Sequence, residues 1–117
     1  MIEFGGDYNP EQWPEETWAQ DMALMKEAGV TLVTVGVFSW AQVQYGPDDF
    51  RFGWLDRVMD LLADSGVRAD LATMTASPPP WLTRMHPEIL PVRQDGTVLS
   101  PGGRQHYSPS SAAYRRY

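Results

Sequence analysis

Three short stretches of this 117-residue chain set aromatic side chains beside carboxyl, amide or hydroxyl groups: Asp7-Tyr8-Asn9-Pro10-Glu11-Gln12-Trp13, Phe38-Ser39-Trp40-Ala41 and Thr75-Ala76-Ser77-Pro78-Pro79-Pro80-Trp81. An indole stacks on the C–H face of a sugar ring while neighbouring polar groups take its hydroxyl rim, so the pattern points to carbohydrate recognition. Any one Trp, taken alone, is more often core packing than a ligand platform. Cleaving a glycoside would further require two carboxyl groups flanking the scissile bond. Asp7, Glu11 and Asp70 are the candidates near strand ends or within strands. Asp70 reads as a buried structural hydrogen-bonding group, and Asp7 and Glu11 share one loop, which makes opposed placement across a substrate hard. No catalytic residue is therefore assigned.

Other chemistries find no support. His86 and His106 lack a second ligand at helical or hairpin spacing, so a hydrogen-bonding role is expected for them and no metal site is assigned. The chain contains no Gly-x-Ser-x-Gly elbow, phosphate loop or Gly-x-Gly-x-x-Gly turn. No cofactor is expected.

The elements that would position these stretches follow from hydrophobic periodicity. From Thr17, the residues Trp18, Met22, Met25 and Ala28 form a helical stripe, with Pro14 suited to the first turn and Gly29 to the left-handed position past the end. Val30 to Val37 is rich in β-branched residues, as a strand covered on both faces would be. The same phrase returns with Leu55, Val58, Met59 and Leu62, then Gly66, then Val67 to Met74; Gly66 lies 37 residues after Gly29. With a further strand-like run at Ile2 to Asp7, the order reads β-α-β-α-β and predicts parallel strands. The polar stretches then fall where such folds bind ligands, beyond the strand C-termini. After Met74 more than 30 residues read as a loop, and Ser108 to Ser111 offer N-caps for a helix from Ala112 to Tyr117. A helix of about six residues is too short to stand alone, so the chain is expected to continue into further structure.

Composition sets the outer bounds. The chain is 43% hydrophobic and 12% aromatic, enough for a core, and its length allows one domain. A net charge of −6 disfavours nucleic acid. Zero Cys rules out disulfides and thiolate ligands. No signal-like head or membrane-length apolar run occurs, so no membrane partner is expected and the default is a soluble, cytoplasmic protein.

Read in order, Gly6-Asp7-Tyr8-Asn9-Pro10-Glu11-Gln12-Trp13-Pro14, Val37-Phe38-Ser39-Trp40-Ala41, Phe52-Gly53-Trp54-Leu55-Asp56, Ala76-Ser77-Pro78-Pro79-Pro80-Trp81-Leu82, His86-Pro87-Glu88-Ile89-Leu90-Pro91 and Gly102-Gly103-Arg104-Gln105 resemble the family-42 glycoside hydrolases. The resemblance implies an α/β fold, the N-terminal β-α-β-α-β portion of a (β/α)8 TIM barrel ending at the start of the next helix, with residues 1–117 forming part of the catalytic domain. It implies a retaining β-galactosidase as the parent, with a small β-galactoside as substrate and an oligomer possible at full length. It places Arg104 against the galactose, where a planar guanidinium fork holds two hydroxyls or a carboxylate. Asp7, Asn9 and Trp40 are expected to share that substrate-binding face. The family's acid/base Glu ends the fourth strand and its nucleophile the seventh, so this chain alone is expected to be inactive. Two departures stand out: Ser108 where many members carry a zinc-cluster Cys, and Gly46 after Tyr45 where Pro is common. The competing class is a non-enzymatic carbohydrate- or protein-binding half-barrel.

Overall fold

The structure, a computed structural model, describes residues 2–102 and 106–117. These divide into two units, one drawn from residues 2–37 and 52–73, the other from 38–51, 74–102 and 106–117.

The first unit is built on a three-stranded parallel sheet of β1 (Asp7–Tyr8), β2 (Leu32–Val35) and β5 (Arg68–Leu71), in the order β1-β2-β5. The register pairs Asp7 with Thr34 and Tyr8 with Val35 on one side, and Thr34 with Asp70 and Val35 with Leu71 on the other. Helices α1 (Trp18–Glu27) and α3 (Gly53–Asp64) connect the strands. Because side chains alternate along a strand, Val33 and Val35 point to a buried face. Trp18 and Met22 of α1 and Leu55, Val58 and Leu62 of α3 complete that core. Burying one such aliphatic side chain stabilises by about 1.5–3 kcal/mol, and Leu62 and Val58 are only 1% exposed. The opposite face carries the in-register row Asp7, Thr34 and Asp70 and is more open.

The parallel order, both helices and the repeat expected from sequence are all present. The repeat has a physical cause: each helix ends in the same backbone device. Gly29 and Gly66 both adopt φ +73°. The next residue in each case reaches back past the glycine into the last helical turn, Val30 N–H to the Met25 carbonyl and Val67 N–H to the Leu62 carbonyl, both at 2.9 Å. This caps the last turn and aims the chain into the following strand. Strand β1 starts later than the run at Ile2 suggested: the Phe4 carbonyl accepts from both Thr31 and Leu32 N–H and the Gly6 carbonyl from Thr34 N–H, contacts that precede the regular ladder beginning at Asp7.

In the second unit, α2 (Trp40–Val43) runs into an antiparallel hairpin of β3 (Gln44–Gly46) and β4 (Asp49–Phe50). The stretch after Met74 corrects the expectation of a structureless loop: α4 (Pro80–Met85) and a 3-10 turn at Pro87–Ile89 occupy it. The prolines that suggested a loop start these elements instead, since a proline at the first helical position gives up no needed N–H. Leu82 and Ile89 are fully buried there. Helix α5 (Ala112–Arg116) starts at Ser111, whose Oγ accepts from Tyr114 N–H as expected of a cap.

Candidate functional site

The loop after β1 is organised from within. Trp18 donates its indole N–H to the Pro10 carbonyl at 3.0 Å, and Tyr8 donates its hydroxyl to Asp21 Oδ2 at 2.9 Å. Burial, then the hydrogen bond to Asp21, then the charges of Asp21 and Glu11 raise the Tyr8 phenol pKa above its ordinary value. Asp7 is exposed at the strand end. Asn9 Oδ1 and both Glu11 carboxylate oxygens are buried without a hydrogen-bond partner. This leaves three acceptor oxygens with unmet demand within three residues. Asp70 departs from expectation: it is exposed rather than buried, because it stands on the open face of the edge strand, where Thr34 donates to it at 3.4 Å. A carboxylate with one long hydrogen bond and free access to water keeps its hydration, which removes the reason to read it as a buried anchor.

In the second unit, Trp40 is 8% exposed and donates its indole N–H to Gln44 Oε1 at 2.6 Å. The Gln44 amide donates in turn to the Pro47 carbonyl, and the Gln44 carbonyl accepts from the Trp81 indole at 2.8 Å. Tyr114 meets Trp40 edge-on at 5.7 Å and stacks on Tyr107 at 4.2 Å, the rings 8° from parallel. Trp81 meets Tyr117 edge-on at 5.3 Å. These aromatics pack chiefly on one another, so any sugar would find an edge of the cluster rather than a bare indole face.

A cavity of about 480 Å³ opens beside this cluster, wholly within the second unit. Phe38, Pro78 and Pro80 give it apolar walls, and Ser77, Arg84 and His106 supply polar groups. The size lies within the range of about 300–1,000 Å³ typical of small-molecule sites. Sequence reasoning named Phe38, Ser77 and the prolines but passed over Arg84, since a single Arg on a short helix carries no pattern of its own.

Of the expected substrate-binding residues, Asp7 and Asn9 lie together in the first unit and Trp40 in the second. Arg104 lies outside the described residues. His86 Nδ1 lies 2.9 Å from Glu88 Oε1, the hydrogen-bonding role expected of it. Among the described residues, no three His, Cys, Asp or Glu side chains gather as a metal site. The zinc cluster suggested by the resemblance does not fit the residues present. Ser108 offers a hydroxyl in place of a thiolate, its backbone N–H is spent on the Ile89 carbonyl, and the chain has no Cys. No helix among the described residues is long and apolar enough to cross a membrane.

Comparison with known proteins adds to this geometry. Residues 7–117 match the profile of a family described as beta-galactosidase, glycoside hydrolase family 42. A beta-galactosidase from Arthrobacter sp is 60% identical over 116 residues, which is 99% of this chain and 17% of that protein. Beta-galactosidase LacZ from Heyndrickxia coagulans is 54% identical over 97% of this chain and 17% of its own length. The crystal structure of beta-galactosidase from Bacillus circulans sp. alkalophilus superposes with a TM-score of 0.94 at 40% identity, covering 99% of this chain and 17% of that one. The chain thus spans about a sixth of the length of the relatives it matches.

Proposed function

We propose that this chain, which belongs to glycoside hydrolase family 42, forms the opening strands of a (β/α)8 barrel in a β-galactosidase that removes terminal, non-reducing β-D-galactosyl residues. The observation that carries this reading is the match over residues 7–117, because it includes every strand-end stretch that sequence reasoning had singled out for sugar recognition. The parallel β1-β2-β5 order fits the first three strands of such a barrel.

On this reading residues 1–117 are part of one catalytic domain and supply binding rather than bond cleavage. Asp7, Asn9, Trp40 and Arg104 contribute to the substrate rim, Arg104 through its guanidinium fork. Cleavage is a double displacement: one Glu protonates the leaving oxygen while a second attacks the anomeric carbon, and water then releases the galactose. Both carboxylates come from later strands. Neither Asp7 nor Glu11 takes these roles, since they share one short loop and the Glu11 carboxylate oxygens are shut away from solvent.

The test compares two polypeptides on a chromogenic β-galactoside. The full-length protein carrying this segment is expected to turn it over, and residues 1–117 alone to show nothing above the buffer blank. Absence of turnover in the full-length protein would refute the reading. Turnover by the 117-residue chain, abolished on substituting Asp7 or Glu11, would show that the catalytic carboxylates had been placed on the wrong strands.

A further inference from the structure

Asp95 and Gly96 stand at the tip of a small hairpin in the second unit, closed by an antiparallel bridge between Val92 and Val98. Arg93 N–H donates to the Thr97 carbonyl at 2.8 Å and Leu99 N–H to the Pro91 carbonyl at 2.9 Å. Two more bonds hold the turn itself: Gly96 N–H to the Arg93 carbonyl and Thr97 N–H to Asp95 Oδ1, both at 2.9 Å. Gly96 takes φ +84°, the left-handed position that closes a three-residue hairpin loop. The turn therefore calls for glycine at 96 and uses a short carboxylate at 95 to hold the backbone two residues on.

That pair carries a reaction of its own, because glycine has no side chain to shield its amide nitrogen from the preceding carboxyl group. When the Gly96 nitrogen attacks Asp95 Cγ, the N–Cγ bond forms, the Cγ–O bond breaks, and the carboxyl hydroxyl leaves as water with the amide proton. Water then opens the five-membered succinimide. Opening at Cγ restores aspartate, whereas opening at the former backbone carbonyl leaves the chain running through Cγ as isoaspartate. The sequence of steps loses one water and regains one, and needs no oxidant, cofactor or enzyme.

In the folded turn both reacting groups are engaged. The Gly96 N–H is held by Arg93 and the Asp95 carboxylate by Thr97. The Thr97 backbone N–H, then its side chain, also keep the Asp95 carboxyl below its ordinary pKa, so less of the reactive neutral acid is present. Both residues are exposed, so these hydrogen bonds rather than burial hold the reaction back.

We propose that Asp95 is a site of spontaneous isoaspartate formation, released when the hairpin over residues 91–99 opens. The product lengthens the loop backbone by a methylene, so the two turn bonds do not re-form as they were.

The full-length protein carrying this segment and an unstructured peptide of residues 91–99 are aged side by side at neutral pH in water enriched in heavy oxygen. Peptide mapping reads isoaspartate at position 95, and the succinimide route marks that product with a heavy oxygen atom. Lacking both turn bonds, the peptide is expected to react roughly ten- to thirtyfold faster than the protein. Thr97→Pro removes the N–H that holds Asp95, and Val98→Gly loosens the strand that follows the turn. Each is expected to raise the rate in the full-length protein about three- to tenfold. Val98→Gly leaves every donor and acceptor of the turn in place, so it decides the matter even if Thr97→Pro fails to fold. Absence of labelled isoaspartate at position 95 from protein and peptide alike overturns the proposal. So does a wild-type protein that reacts as fast as the peptide, or a rate that neither variant raises.

Discussion

Trp40 hands its indole proton to the side-chain oxygen of Gln44, four residues on, at 2.6 Å. Both residues are buried, and the Gln44 backbone carbonyl serves a second indole, that of Trp81. One Gln therefore fixes two Trp side chains. Gln44→Ala leaves the Trp40 N–H buried and unpaired, and we expect it to cost about 1–3 kcal/mol. Trp40→Phe should cost a similar amount. Because the two changes remove the same hydrogen bond, the double variant should be less destabilised than the sum by roughly 1 kcal/mol. Denaturant unfolding of the four species measures the difference, and strict additivity would show that the bond contributes nothing.

Gly5 and Gly6 are neighbours with opposite tolerances. A Cβ at Gly5 would lie 1.6 Å from the Leu32 carbonyl oxygen, whereas one at Gly6 would meet nothing within 4 Å. The oxygen belongs to the backbone of β2 and cannot swing away. Gly5→Ala is therefore expected to destabilise by more than about 2 kcal/mol and Gly6→Ala by less than about 1 kcal/mol. Similar thermal midpoints for the two variants would contradict the close approach of these segments.

Gly66 tests backbone conformation without crowding, since its φ is +73° and a Cβ placed on it would meet no atom within 4 Å. Gly66→Ala should cost about 1 kcal/mol, the price of holding an L-residue left-handed. Gly66→Asn should cost less, because Asn visits that region more readily. A larger loss for Asn than for Ala, by chemical denaturation, would argue against this cause.

Tyr8 gives the first unit a dependence on alkaline pH. Its pKa in the folded protein lies above the ordinary value of 10.0, so on raising the pH the unfolded chain loses the phenolic proton first. The unfolded state then binds fewer protons than the native one, and stability falls. The contribution is fully present below about pH 10 and is lost as pH rises from there toward the folded-state pKa. Tyr8→Phe should remove part of the decline in melting temperature between about pH 9 and 11, two values chosen to bracket the ordinary phenol range of about 10. An identical decline in the variant would place the titration elsewhere.

Much of the fold was legible because its signals are local. Gly29 and Gly66 mark helix ends by a conformation few other residues accept, and Leu55, Val58 and Leu62 show their stripe at a glance. The hairpin at Gln44–Gly46 and Asp49–Phe50 was not legible, since strands of two or three residues carry no alternation to read. Helix α4 was hidden by its own prolines. The site was less legible still. Trp40 lies on a strand-end connection as expected, yet nothing in its neighbours' identities announces that Gln44 takes its indole proton. Asp70 was expected to be buried because it lies within its strand rather than at its end, yet side chains alternate along a strand and Asp70 falls on the open face beside Thr34, an alternation that does not say which face is covered.

The pairing of Leu32 with Arg68 spans 36 residues and completes only after the intervening segment 38–51, which belongs to the other unit, has been made. At synthesis rates of about 5–20 residues per second, the second partner of β2 emerges from the ribosome roughly two to seven seconds after β2 itself. Helices and hairpins form in microseconds, so β1, α1 and β2 have ample time to associate while one edge of β2 stands open. Val33 and Val35 lie on that waiting strand, a β-branched run of the kind that pairs with any extended chain nearby. During translation, the segment most exposed to mispairing is thus the one that ends up most enclosed.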